Sequence, residues 1–233
     1  MATPEHAASA LSALQHGFAG AIVVVVGGRG GIGREVVRQA HDLGARVVVV
    51  SSWTGGEAIE GAAFELERIV TLRCDIRVAA EVHRLAEAVG TALGRVDILV
   101  NSAGSSVQVP LKAIDRLTDE LVAEVFQSNA LGVLATIREF TPWLQRGRDP
   151  VIVNVGSVAA WTGQGSNLAY VGAKAAVEAM SIGLAKALAP DVRVVGVAPS
   201  ALATDFVKGR GTDFLEATAA ATPLRRLTTP AEV

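Results

Sequence analysis

Tyr170 is the only tyrosine among 233 residues. It stands four places before Lys174 in Ala169-Tyr170-Val171-Gly172-Ala173-Lys174, inside an alanine-rich run patterned as a helix. At that spacing a phenol and an ammonium share one helix face. A free phenol ionises near pH 10, so it shuttles protons at neutral pH only where a nearby positive charge favours the phenolate. Lowering its pKa by about three units takes roughly 4 kcal/mol, at 1.36 kcal/mol per unit. One adjacent ammonium in a half-dry cleft supplies part of that. The pair is a candidate acid/base.

Such a pair works only if a rigid frame presents it. Short β-branched runs alternate with longer alanine- and leucine-rich segments, predicting strands at 21–26, 46–50, 69–74, 96–100, 151–155 and 192–197. Helical patterning covers 32–43, 79–93, 118–144 and 168–188. Strand–helix alternation with continuous valine runs predicts an α/β fold, a parallel sheet covered by helices on both faces. Residues 1–17 read as a flexible, alanine-rich extension with a short helix at 7–15, and 18–233 as one domain.

The composition narrows the function classes. Half the residues are hydrophobic, enough for a large core, and the net charge of -2 gives no electrostatic reason to expect nucleic acid or an anionic membrane. The longest uninterrupted apolar run, 21–26, is far too short to cross a bilayer, and residues 1–20 hold no Lys or Arg, unlike a secretory signal. A single cysteine, Cys74, forms no internal disulfide and fits a cytoplasmic location. His6, His16, His41 and His83 are scattered without ligand spacing, so no metal site is expected.

The first strand runs into Gly27-Gly28-Arg29-Gly30-Gly31-Ile32-Gly33, and a helix follows. Glycines are needed where a strand turns sharply into a helix and the backbone must approach a pyrophosphate, which then sits on exposed helix N–H groups. This βαβ context predicts a dinucleotide site.

With these motifs in order, the chain resembles the single-domain short-chain dehydrogenase/reductase family, nearest in pattern to 3-oxoacyl-carrier-protein reductases. The family's Thr-Gly-x-x-x-Gly-x-Gly matches Gly27, Gly31 and Gly33, with Val26 in place of the threonine. Its Asn-Asn-Ala-Gly element corresponds to Asn101-Ser102-Ala103-Gly104, and its adenine-contacting aspartate to Asp75, with Ile76 beside it. The resemblance implies a Rossmann-like doubly wound sheet and a carbonyl/secondary-alcohol oxidoreductase. Its active-site quartet falls on Asn129, Ser157, Tyr170 and Lys174. Tyr170 would pass a proton to or from the substrate oxygen, and Ser157 would hold that oxygen. Lys174 would favour the phenolate and bind the nicotinamide ribose. Asn129, in mid-helix, would hold a water linking Lys174 to solvent.

Cofactor choice is written where the second strand ends. An acid there would clasp the ribose hydroxyls and favour NAD. Ser51-Ser52-Trp53-Thr54 stands there instead, and Arg29 in the glycine loop can pair with a 2′-phosphate, so NADP(H) is favoured over NAD(H). Pro199 and Thr204 resemble the family's segment beside the nicotinamide, with Ser200 replacing a glycine. Trp161, Thr162 and Gln164 are expected on the substrate side, and 205–222 as a mobile flap offering Phe206, Phe214 and Leu215.

The chain stops at Val233, where the resemblance expects a further helix and a last strand. It also implies a homodimer or homotetramer built through 118–144 and 168–188. The expected substrate is a small-molecule or carrier-linked carbonyl or alcohol. The alternatives are dehydrogenation of a cyclic diol, sugar or steroid alcohol, and, from another class, a non-catalytic dinucleotide-binding regulator or scaffold.

Overall fold

The computed structural model describes residues 17–52, 68–204, 206–208 and 211–233. The predicted helix at 7–15, together with Trp53, Thr54 and part of the expected flap, lies outside them. Six parallel strands form one sheet: β1 (Ile22–Val26), β2 (Arg46–Ser51), β3 (Ile69–Arg73), β4 (Ile98–Asn101), β6 (Val151–Val155) and β7 (Arg193–Val197), in the order β3-β2-β1-β4-β6-β7. Every predicted strand is present to within two residues at each end. A separate two-residue pair, β5 (Ser106–Val107) and β8 (Val207–Lys208), lies outside that sheet and carries no period for the sequence to display.

The valine run of β1 serves both layers because alternate residues face opposite sides of a strand. Ile22, Val24 and Val26 join a core with α2 (Ala79–Leu93) and α4 (Gly132–Leu144), which contribute Val82, Leu85, Val89, Ile137, Phe140 and Leu144. Val23 and Val25 face the other way, against Ala40, Val36 and Val37 of α1 (Gly31–Asp42). Each fully buried valine contributes about 1.5–3 kcal/mol, so β1 is the anchor from which the glycine turn projects.

The predicted helix over 118–144 is interrupted. α3 (Asp119–Phe126), capped by Thr118, passes into a π turn at Gln127–Leu131 before α4 resumes. The apolar pattern continues through the insertion, so periodicity reads one helix. α5 (Ala159–Thr162) is a single turn, and α6 (Leu168–Ala187) carries the Tyr/Lys pair against α3, α5 and β7. Among the described residues α6 alone is long and apolar enough, by length and composition, to cross a bilayer; a search for uninterrupted apolar runs passes over it. α7 (Thr212–Ala221) follows β8, and Thr229 and Glu232 form a capping box over the 3-10 turn Pro230–Glu232, the helix start expected there.

One buried acid lies at the far end of the sheet and is structural. Asp97 accepts from the Ile22 and Arg148 N–H groups at 2.8 and 2.6 Å and from Arg95 Nε at 3.0 Å.

Candidate active site

The carboxyl ends of β1, β4 and β6 open into a cleft of about 1600 Å³, at the point where strand order reverses on either side of β1. Gly27 ends β1 at φ +84°, and a Cβ there would lie 2.5 Å from the Ala103 backbone N, so only glycine lets this turn meet the one after β4. The hydroxyl lost at Val26 is offset by backbone bonds: Gly27 and Gly28 N–H both donate to the Val50 carbonyl (2.8 and 3.2 Å), and Gly30 N–H to the Gly27 carbonyl (3.0 Å). Helix α1 starts at Gly31 with no side chain capping it, which leaves its first-turn donors facing the cleft wall formed by Gly30, Gly31 and Ile32. A Cβ on Gly31 would come 2.6 Å from Thr204 Cγ2. This bare cradle fits a dinucleotide pyrophosphate.

The wall also holds Arg29, Ser51, Ser52, Asp75 and Ile76, together with Arg34 and Arg38. Arg38 is held by Glu35 and Asp42, and its hydrogen bonds bring the Glu35 carboxyl down to about 2. Asp75 pairs with Arg77 at 2.7 Å, and that hydrogen-bonded guanidinium keeps its carboxyl below the usual range.

Tyr170 and Lys174 both line the cleft, with the Lys174 Nζ 5.9 Å from the phenol ring centroid. The ammonium is only 4 % exposed and donates to the Val155 carbonyl at 2.7 Å, which ties α6 to the end of β6. Burial pushes its pKa down to about 8, and Glu178, one turn further on, pushes the other way. Glu178 fits there because Gly156 and Gly196 have no Cβ; its Oε1 is buried with no hydrogen-bond partner among the described residues. Ser157 also lines the cleft, its Oγ accepting from the Ala159 N–H at 3.1 Å. The Phe206 ring meets the Tyr170 ring edge-on at 5.7 Å.

Asn129 lies behind this wall, fully buried in the π turn. Its Nδ2 donates to the carbonyls of Ser105 (2.8 Å) and Val125 (2.9 Å), whereas Oδ1 has no partner among the described residues and rests against Gly104. The π turn adds the residue that turns this amide inward.

Some expected residues stand elsewhere. Asn101, expected at the cofactor, is 2 % exposed and off the cleft wall. Its amide donates to Asn154 Oδ1 (2.9 Å) and accepts from Thr136 (2.7 Å), in a buried chain that continues to Ser181 on α6. Gly33 likewise packs on the Gly27 carbonyl and not in the cleft. Trp161 and Thr162 are exposed and outside the wall, because α5 turns them outward; Leu215 is outside it too. Ala103, Gly104, Gln164, Pro199, Thr204, Phe206 and Phe214 do line it. Gln108, with a buried Oε1 that has no hydrogen-bond partner among the described residues, lines it without any signal in the sequence. Asn167, which was not among the expected residues, carries a signal that could have found it, a polar residue just before an apolar helix. No group of three or more metal-ligating side chains occurs among the described residues.

The sequence matches the short chain dehydrogenase family over residues 21–213. It is 31% identical over 216 residues to a Streptomyces violaceoruber protein named as a ketoacyl reductase of the granaticin polyketide synthase, covering 91% of this chain and 86% of that one. It is 34% identical over 187 residues to the cis-2,3-dihydrobiphenyl-2,3-diol dehydrogenase of a Pseudomonas strain, covering 79% and 67%. The solved Pseudomonas aeruginosa RhlG/NADP active-site complex superposes with a TM-score of 0.78 at 30% identity, covering 92% of this chain and 86% of that one.

Proposed function

The chain belongs to the short-chain dehydrogenase family, and we propose that it is a ketoreductase of 3-oxoacyl-thioester type in which Tyr170 is the acid/base. It is an oxidoreductase acting on CH–OH and C=O groups with NAD(P). The observation that carries the finer reading is the buried Lys174 ammonium 5.9 Å from the only phenol in the chain, both on the wall of a cleft that begins at a bare glycine cradle.

The cradle at Gly27–Gly31 takes the pyrophosphate, and Lys174 and Thr204 take the nicotinamide half. The nicotinamide, when bound, supplies or accepts the hydride. Ser157 Oγ orients the substrate oxygen, and Tyr170 delivers the proton to that oxygen in reduction or removes it in oxidation, a step a placed acid or base accelerates by about 10² to 10⁴. Lys174 favours the phenolate through its charge, and the orphaned Asn129 Oδ1 suits a bound water that would resupply protons from solvent. Arg29 and Arg34 on the same cleft wall as Ser51 and Ser52, with no acid at the end of β2, support NADP(H) over NAD(H). Of the acids on that wall, Glu35 is paired with Arg38 and Asp75 with Arg77. Exposed Leu131, Leu134 and Ile182 on the π turn, α4 and α6 support a homo-oligomer through those helices.

The test is a panel of β-ketoacyl thioesters and cyclic diols, followed by the absorbance of reduced nicotinamide with each cofactor, on the parent and on Tyr170→Phe. Thioester turnover with a lower Michaelis constant for NADPH is expected, and Tyr170→Phe should keep dinucleotide affinity while turnover falls by about 10² or more. Preferential oxidation of the diols would replace the ketoreductase assignment, and binding without turnover of anything would mean a regulator or scaffold.

A further inference from the structure

Tyr170 sits in the first turn of α6, and what fixes that turn is Asn167. This side chain is fully buried and makes three hydrogen bonds. Its Oδ1 accepts from the Tyr170 N–H at 2.8 Å, the bond of an ordinary N-cap. Its Nδ2 donates in the opposite direction, to the Val107 carbonyl at 2.9 Å and to Ser106 Oγ at 3.1 Å. Ser106 Oγ shares a 2.5 Å hydrogen bond with Ser166 Oγ, and the Val109 N–H donates to the Ser166 carbonyl at 2.8 Å.

Strand β5 is therefore fastened to the start of α6 along its length. Its other edge pairs in parallel with β8, Ser106 opposite Val207 and Val107 opposite Lys208. Phe206, immediately before β8, packs in an edge arrangement with the Tyr170 ring. The contacts close a ring, from the Tyr170 backbone through Asn167 to β5, across to β8, and back through Phe206 to the phenol. A cap needs only one acceptor; the two donated bonds require an amide, which a serine or aspartate cannot supply to both partners at once.

We propose that Asn167 is a positioning residue that clamps Tyr170 to β5 and its paired strand, so that the seating of 206–208 over the cleft and the setting of the phenol above Lys174 are one event. It lies off the cleft wall and acts through Tyr170. The proposal rests on Tyr170 being the acid/base, and its test has an arm that needs no turnover.

The informative variant is Asn167→Ser, which is neutral, keeps a capping oxygen and loses the two donated bonds; Asn167→Ala removes both functions. Because Tyr170 is the only tyrosine, ultraviolet titration of phenolate reports on it alone. Asn167→Ser is expected to lower kcat about tenfold, to leave the dinucleotide Kd within about twofold, and to move the low-pH part of the phenolate titration upward, as Asn167→Ala does. Asn167→Ser with the parent's kcat and titration would reduce the residue to a simple cap and overturn the proposal. Should both variants fail to fold, Ser106→Ala, which removes one arm of the clamp, must show the same upward shift in smaller degree; an unmoved titration there refutes it as well. If the parent turns over no substrate yet the titration moves as described, the assigned activity fails while the clamp stands.

Discussion

Replacing Lys174 by methionine removes the charge beside the phenol at similar volume, and its effect on ionisation can be worked out from the structure. At the 5.9 Å separation of ammonium and ring centroid, and an effective dielectric constant of about 20, the interaction is about 2.8 kcal/mol, or roughly two pKa units. Lys174 itself loses its proton at about 8 because it is buried. The phenol and the lysine then titrate as a coupled pair: the first proton is shared between the two sites and the second is held back by the lost attraction. Phenolate absorbance of the parent should therefore begin to rise at lower pH than that of Lys174→Met and spread over a wider range. Lys174→Met should show a single later step, and Tyr170→Phe none. Circular dichroism across the range checks that the fold persists. A parent curve with one full-amplitude step, superimposable on that of Lys174→Met, would refute the electrostatic coupling.

Three further outcomes follow from the same geometry. The folded-state pKa of Lys174 is lowered from 10.5 to about 8, so below pH 8 its burial costs about 3 kcal/mol, a penalty relieved as pH rises from 8 to 10.5. Allowing about 1 kcal/mol for the lost bond to Val155, Lys174→Met should be inactive yet more stable near neutral pH by about 2 kcal/mol in urea denaturation, with the advantage shrinking above pH 8; a less stable variant contradicts this. Glu178 raises the Lys174 pKa. Glu178→Gln should therefore move the alkaline limb of the kcat profile to lower pH, and a uniform loss at every pH would mark Glu178 as merely structural. Gly31→Ala sets a Cβ 2.6 Å from Thr204 Cγ2 and should weaken dinucleotide binding about tenfold; adding Thr204→Ser, which deletes that methyl, should restore most of it, and additive losses in calorimetric titration would show that the collision is not the cause.

What the sequence alone determined is whatever depends on neighbours along the chain. Valine runs and alanine-rich periods located all six sheet strands, since one short window records which faces a segment must bury. Gly27 to Gly31 announced the tight strand-to-helix turn, and the four-residue spacing of Tyr170 and Lys174 required a shared face whatever the surroundings. Tertiary structure alone decided what depends on distance between remote segments. It set the depth at which Lys174 is buried, and with it the drop of its pKa to about 8, because desolvation is contributed by atoms from several elements. It turned Asn129 inward through a π turn that the unbroken apolar pattern hides, and drew Asn101 away from the cleft into a chain through Asn154 to Ser181. Two-residue strands such as β5 and β8 have no period at all, so the fastening of Asn167 to Val107 exists only once residues 60 positions apart are packed together.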